Sequence, residues 1–341
     1  VNTIEENTNV TSLRIGSGVI KNIGKDAGRF VVATMEIPWK LTTKLLGAEA
    51  RKVVIIESIE ESWLNEQLSD LPGCDCIIGI GGGQAIDAGK YFAWKLEIPF
   101  ISIPTIMSVN AFVTPAAGIR RNHQVVYLGE VSPNPLIIDY DIIRSAPREL
   151  NIAGIGDLLS IHTASFDWEH AQSKGMSEYP FSSSITRKAS EILGELYPHI
   201  PAIRNAENEG LKAIALGYMK LNTICLPLGH FRVEEGSEHY LFYELEERLQ
   251  QPFIHGNIVG LGIYLMSRLQ RNDSNGITEI MDEVGLGYHP NAMGIKKEDL
   301  LRSLLNLNNF VKNKHKLWYT CINDVPISRE WAMNATENLR F

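Results

Sequence analysis

Three consecutive glycines at the end of an apolar run, within GIGGGQAIDAGK at residues 79–90, are the sharpest place in this 341-residue chain where residue type and spacing could do chemistry. Glycine lets the backbone come close to a ligand and adopt positive φ, and a helix starting there offers free N–H groups to an anion such as a pyrophosphate. The turn departs from the usual dinucleotide fingerprint, because Gln84 stands where the third glycine or alanine of G-x-G-x-x-G/A would sit. Taken alone, such a turn serves equally well as plain structure. Asp87 and Lys90, further along the expected helix, have the i,i+3 spacing of an exposed ion pair. Asp157 follows Gly156 and suits a helix N-cap as well as a ligand. Taken singly, His239 and His255 read more readily as structural than as ligands.

Those residues need elements to hold them. RFVVATM (29–35), KVVIIES (52–58), CDCIIGI (74–80), FISIPT (100–105) and PLIIDY (135–140) read as strands. They are too apolar for burial on one face only, as in a parallel sheet covered on both sides. Between them IPWKLTTKLLGAEA, SIEESWLNEQLSDLP and GQAIDAGKYFAWKLE have helical spacing or helix formers. The rhythm predicts an α/β chain whose N-terminal domain, residues 1–146, is a doubly wound parallel sheet with ligands at the carboxyl ends of its strands. After Pro147 long helical segments take over, such as EGLKAIALGYMKLNTICLPLG and HGNIVGLGIYLMSRLQ, so residues 147–341 are expected to form an all-helical domain.

Composition narrows the classes. At 44% hydrophobic and 21% charged residues the chain can bury a core. A net charge of −8 without long runs of either sign speaks against nucleic acid as a partner. No apolar run approaches the roughly 18–20 residues of a membrane span. The opening VNTIEENTNV lacks a basic start and an apolar core, so no signal peptide is expected. Four cysteines, Cys74, Cys76, Cys225 and Cys321, are too few and scattered for a disulfide framework. Cys74 and Cys76 are expected on one buried strand with their side chains sharing a face. A cytoplasmic location is the default.

The glycine turn and its x-x-x-D-x-x-K sequel resemble the cofactor loop of the iron-containing (group III) alcohol dehydrogenase superfamily, whose members include glycerol and glycerol-1-phosphate dehydrogenases, with dehydroquinate synthases as relatives. The matching residues are Gly81, Gly82, Gly83, Asp87 and Lys90. SIPTIMS (102–108) looks like the family's S-x-P-T-x-x-S segment, which implies that Thr105 and Ser108 approach the cofactor. AGIGD, ending at Asp157 and followed by the Asp167–Trp168 pair, resembles the stretch whose aspartate binds the metal; GSEH and HGNIVGLG supply His239 and His255. The resemblance runs from RIGSG (14–18) to WYTCINDVP (318–326) and is closest to glycerol-1-phosphate dehydrogenases. It implies a dehydrogenase of a small polyol or polyol phosphate, or of the matching ketose, with NAD or NADP as cofactor, often as a homo-oligomer. One carboxylate and two imidazoles suit a catalytic divalent ion, zinc first, with iron or nickel also fitting. Glu36, at the end of the first strand run, is placed to hold the adenosine ribose and to favour NAD. Asn110, His162 and Arg232 are the candidates for the substrate wall, whereas His230 and His170 are left as structural or solvent-facing.

The chain departs from the pattern in two places. SVNAF (108–112) puts Asn110 where this group usually has an aspartate, and asparagine cannot accept a proton. FRVEEGSEH (231–239) keeps Arg232 of the family's S-R-P-A-S-G-S-E-H but adds Glu234 and Glu235, which oppose a dianionic substrate unless they point to solvent. Surface charge is the simpler explanation of the pair. A carbocycle-forming synthase is the rival enzyme. Lys90 in place of a glycine, Asp157 in place of a glutamate, and the missing D-S-S-V-G-G-K segment oppose it. A non-catalytic nucleotide-binding relative is the other rival, supported by Asn110 and opposed by the intact ligand trio.

Overall fold

A computed structural model of the chain describes residues 8–314 and 317–341. Residues 1–7, on which part of the expectation about a leader rests, lie outside them. The chain divides into two compact units, one made of Val1–Asn151 with Ala206–Thr223, the other of Ile152–Asn205 with Ile224–Phe341. A single cut at 146/147 does not describe this division, because Ala206–Thr223, most of the helix Asn208–Leu228, belongs to the first unit.

The first unit is built on a six-stranded sheet in the order β1-β8-β5-β4-β2-β3, with every pairing parallel. Its strands are β1 (Leu13–Gly16), β2 (Phe30–Thr34), β3 (Lys52–Ile55), β4 (Cys76–Gly81), β5 (Phe100–Pro104) and β8 (Pro133–Asp139). All five predicted runs are strands. The alternating residues of β2 show why they are apolar throughout. Val31 and Ala33 enter one buried cluster, while Phe30 and Val32 enter another on the opposite face.

The cysteine expectation fails on the same ground. Cys76 packs with Phe30 and Val32, whereas Cys74 packs against the opposite cluster. The strand begins only at Cys76, so two-residue alternation does not extend back to Cys74. Among the missed elements are β1 and a hairpin of β6 (Ala117–Arg121) and β7 (Gln124–Leu128). The hairpin turns on Asn122 and His123, both at positive φ, which suits a tight two-residue turn.

From β2 the chain runs to β3 on one side of the sheet and then to β4 on the other, so the direction of winding reverses between β2 and β4. In open parallel sheets ligands bind at the carboxyl ends of the strands at such a point. The glycine turn sits there, where β4 ends and helix α1 (Gly83–Leu96) begins.

The second unit is helical among its described residues. Four helices matter for the site: α2 (Ile155–Leu159), α3 (Ile161–Ser173), α4 (Ser237–Leu249) and α5 (His255–Gln270). Among the described residues no helix is long and apolar enough to cross a membrane.

Candidate functional site

The turn after β4 is clamped from both neighbouring strands. Thr34 Oγ1 donates to the Ile80 carbonyl at 2.7 Å, and the Thr105 amide donates to the Gly81 carbonyl at 3.0 Å. Gly81 has φ +150, and a Cβ there would lie 2.8 Å from Ala85 Cβ. A Cβ on Gly82 would meet Ile106 at 2.7 Å, and one on Gly83 would meet Val109 at 2.8 Å. The segment carrying Thr105, Ser108 and Asn110 therefore lies against the glycine turn. Thr105 is buried, whereas Ser108 and Asn110 are partly exposed. Glu36 opens a short helix, Glu36–Thr42, that follows β2; it is exposed and pairs with Lys40 at 3.4 Å.

Asp87 and Lys90 go elsewhere. Their ion pair spans 2.7 Å with Lys90 only 1% exposed, so the exposed pair expected from spacing is in fact buried. Lys90 Nζ also donates to the Thr114 and Ala116 carbonyls, which ties α1 to the chain entering β6. Burial raises the Asp87 carboxyl and lowers the Lys90 ammonium from their ordinary ranges, against their mutual attraction. The helix–strand packing role of a third fingerprint glycine falls to Gly89 with Gly79. A Cβ on Gly89 would lie 2.8 Å from the Phe100 ring and 3.2 Å from Gly79 Cα. Sequence reasoning passed over both, although their ten-residue separation across the turn is a readable signal.

In the second unit Asp157, His239 and His255 each turn one ligand atom to a common point, all within 4.8 Å of one another. His255 Nε2 is 3.0 Å and His239 Nε2 3.8 Å from Asp157 Oδ1. Glycines allow this convergence. A Cβ on Gly156 would lie 2.2 Å from the Gly256 carbonyl oxygen, and one on Gly256 would lie 1.7 Å from that of Ala153. The backbones of α2 and α5 thus touch beside Asp157 and His255. A Cβ on Gly262 would lie 2.4 Å from the Glu238 carbonyl oxygen, which seats α4 on α5 next to His239.

Glu238, fully buried, orients His239. Its Oε1 accepts from His239 Nδ1 at 2.9 Å and from the Gly236 amide at 2.6 Å, and its Oε2 accepts from Thr163 Oγ1 at 2.7 Å. With Nδ1 engaged, Nε2 is the nitrogen left to face Asp157 and His255. Burial alone would lower the His239 pKa. The hydrogen bond and charge of Glu238, then Glu235 and Asp157, outweigh it and hold the imidazole up at about 9. Surroundings that favour a positive charge at this point also suit a bound cation. The donor set, its spacing and the carboxylate behind His239 all fit a divalent ion. Glu238 was not singled out from sequence, because its role depends on the α3 and α4 contacts.

The other substrate-wall candidates are not part of this trio. His162 Nε2 lies 2.7 Å from the Asn272 carbonyl, and Asn272 donates back to the His162 carbonyl at 3.0 Å. Arg232 is fully buried, with Nη2 donating to the carbonyls of Asp167 and Tyr319. His170 pairs with Asp324 at 2.9 Å, and His230 stacks on Tyr179.

Residues 25–147 match the family model described as iron-containing alcohol dehydrogenase. The chain is 28% identical over 337 residues to a glycerol-1-phosphate dehydrogenase (NAD(P)+) of Methanosphaera stadtmanae, across 94% of this chain and 93% of that protein. A protein of the same description from Pyrococcus horikoshii is 26% identical, across 95% of each. Among solved structures, a probable glycerol dehydrogenase from Sinorhizobium meliloti matches with a TM-score of 0.74 at 18% identity, over 96% of this chain and 95% of that one. An iron-containing alcohol dehydrogenase from Thermotoga maritima matches with a TM-score of 0.65 at 16% identity, over 98% and 99%. These two likenesses establish the shared fold.

Proposed function

This chain belongs to the iron-containing alcohol dehydrogenase superfamily, and on that premise we propose that it is a metal-dependent, NAD(P)-linked oxidoreductase interconverting the CH–OH group of a small polyol, or polyol phosphate, with the matching ketone. The observation that carries the reading is the meeting of Asp157, His239 and His255 from three helices.

Asp157, His239 and His255 would hold the ion, for which zinc is the first choice and iron or nickel the alternatives. Gly81–Gly83 would receive the cofactor's pyrophosphate at the start of α1, with Thr105 and Ser108 beside it and Glu36 on the ribose, in favour of NAD. When bound, the ion supplies Lewis-acid polarisation of the substrate oxygen and the nicotinamide supplies a hydride acceptor. Glu238 keeps His239 in the tautomer and orientation that leave Nε2 for the ion. Asn110 orients by hydrogen bonding and accepts no proton, so the alcohol proton leaves through water or a substrate hydroxyl. The reading extends to a homo-oligomer, on the family resemblance, and to the cytoplasm, as the default for a chain of this composition and cysteine usage.

The test pairs metal analysis with NADH absorbance. Protein purified without chelator should carry about one divalent ion per chain and produce NADH steadily with a polyol. His255→Ala should lose the ion and at least about three orders of magnitude in kcat/KM, as expected when a metal supplies several kcal/mol of charge stabilisation. A synthase of the related kind returns its NAD unchanged, so steady NADH production excludes it. Metal-free protein that gains nothing from added zinc, iron or nickel would sink the proposal.

A further inference from the structure

The stretch leading into α4 carries Glu234 and Glu235 immediately before the ligand helix. Neither is a loose surface charge. Glu234 is 4% exposed and Glu235 is partly buried. The amides of both donate to the Phe231 carbonyl at 2.9 Å. Glu235 is pinned a second time, because Tyr243 Oη donates to its Oε1 at 2.5 Å. Tyr243 lies one turn along α4 from His239, and their rings are 6.4 Å apart. Tyr243 thus ties the Glu235 carboxylate to the immediate surroundings of His239. Arg232, the guanidinium of the same stretch, is fully buried, with Nη2 donating to the carbonyls of Asp167 and Tyr319.

We infer that this centre selects small polyols whose substituent near the reacting carbon is a hydroxyl or an ammonium and rejects those bearing a phosphate, with the pinned Glu235 carboxylate as the group that determines specificity. The inference rests on the dehydrogenase reading and sharpens its substrate class. A fixed carboxylate accepts a hydrogen bond from a hydroxyl or ammonium without reorganising. It repels a phosphate dianion through both of its charges, and discrimination by a built-in repulsive group is a general route to specificity.

The experiment uses zinc-loaded protein and its Glu235→Gln variant. Glutamine keeps the size of the side chain and an oxygen for Tyr243, so the melting temperature should stay put. Initial rates with glycerol, 3-amino-1,2-propanediol and glycerol 1-phosphate give kcat/KM, and calorimetry gives the Kd of glycerol 1-phosphate. The wild type should favour the uncharged and aminated polyols over the phosphate on the order of ten- to a hundred-fold. Glu235→Gln should shrink that ratio at least about ten-fold, chiefly through a lower KM and Kd for the phosphate. Glu235→Ser repeats the test with the carboxylate deleted instead of neutralised. Preference of the wild type for the phosphate, or an unchanged phosphate Kd in both variants, overturns the inference. If no polyol is oxidised while the phosphate Kd still tightens in both variants, the selectivity stands and it is the dehydrogenase reading that fails.

Discussion

At the scale of single residues, Glu238 is the group on which the ligand trio depends without being a member of it. It takes three donors, one of them the imidazole of His239, a proposed ion ligand, in a place with no access to water. Glu238→Gln keeps the shape and one accepting oxygen but removes the negative charge behind His239 and forces the Thr163 hydroxyl to turn from donor to acceptor. Metal affinity should fall about 10- to 100-fold, and stability by about 1–3 kcal/mol, read from chelator competition and urea unfolding. Unaltered affinity would mean that His239 is oriented by something else. Lys90 teaches the converse lesson about position and role. Its spacing from Asp87 is legible in sequence, yet its ammonium goes inward to the Thr114 and Ala116 carbonyls. Only the fold shows that the pair is an internal strut between α1 and β6.

At the scale of elements, glycine contacts decide how closely the ligand helices approach. Gly256→Ala puts a methyl group into the Ala153 carbonyl. It should cost about 1–3 kcal/mol or more as overpacking and should also lower the metal content, because His255 is the adjacent residue. Gly194, in the helix Ser183–Leu196, has nothing within 4 Å of a would-be Cβ. Gly194→Ala should instead stabilise by about 0.4–1 kcal/mol and leave the metal content alone; equal losses at both sites would refute the contact argument. The same scale explains what could be read in advance. Strands β2, β4, β5 and β8 were legible because burial on both faces makes them continuously apolar. The hairpin of β6 and β7 was passed over because neither five-residue strand is buried on both faces, so neither is continuously apolar; β7 has no fully buried residue at all. Asp157, His239 and His255 were legible through the sequence patterns around them, whereas the glycine crossings that bring them together belong to packing that no local pattern encodes.

At the scale of the whole molecule, the two sets of site residues fall in different compact units. The glycine turn, Thr105, Ser108 and Asn110 belong to the first, and all three proposed ion ligands to the second. A ligand stabilises the fold it binds, by about 4 kcal/mol at a thousand times its Kd. Chelation should therefore lower the unfolding temperature of the second unit, while NAD should raise that of the first, as followed by hydrogen exchange of peptides from each. Equal protection of both by either ligand would show that the units unfold as one. The crossings at Gly156, Gly256 and Gly262 carry one more consequence. Those three positions have almost no tolerance for substitution, since a single methyl group collides with backbone at every one. Glu235, only partly buried at the end of the 231–235 turn, sits at no such crossing, so a lineage shifting from one alcohol to another would be expected to change that position while the three glycines stayed frozen.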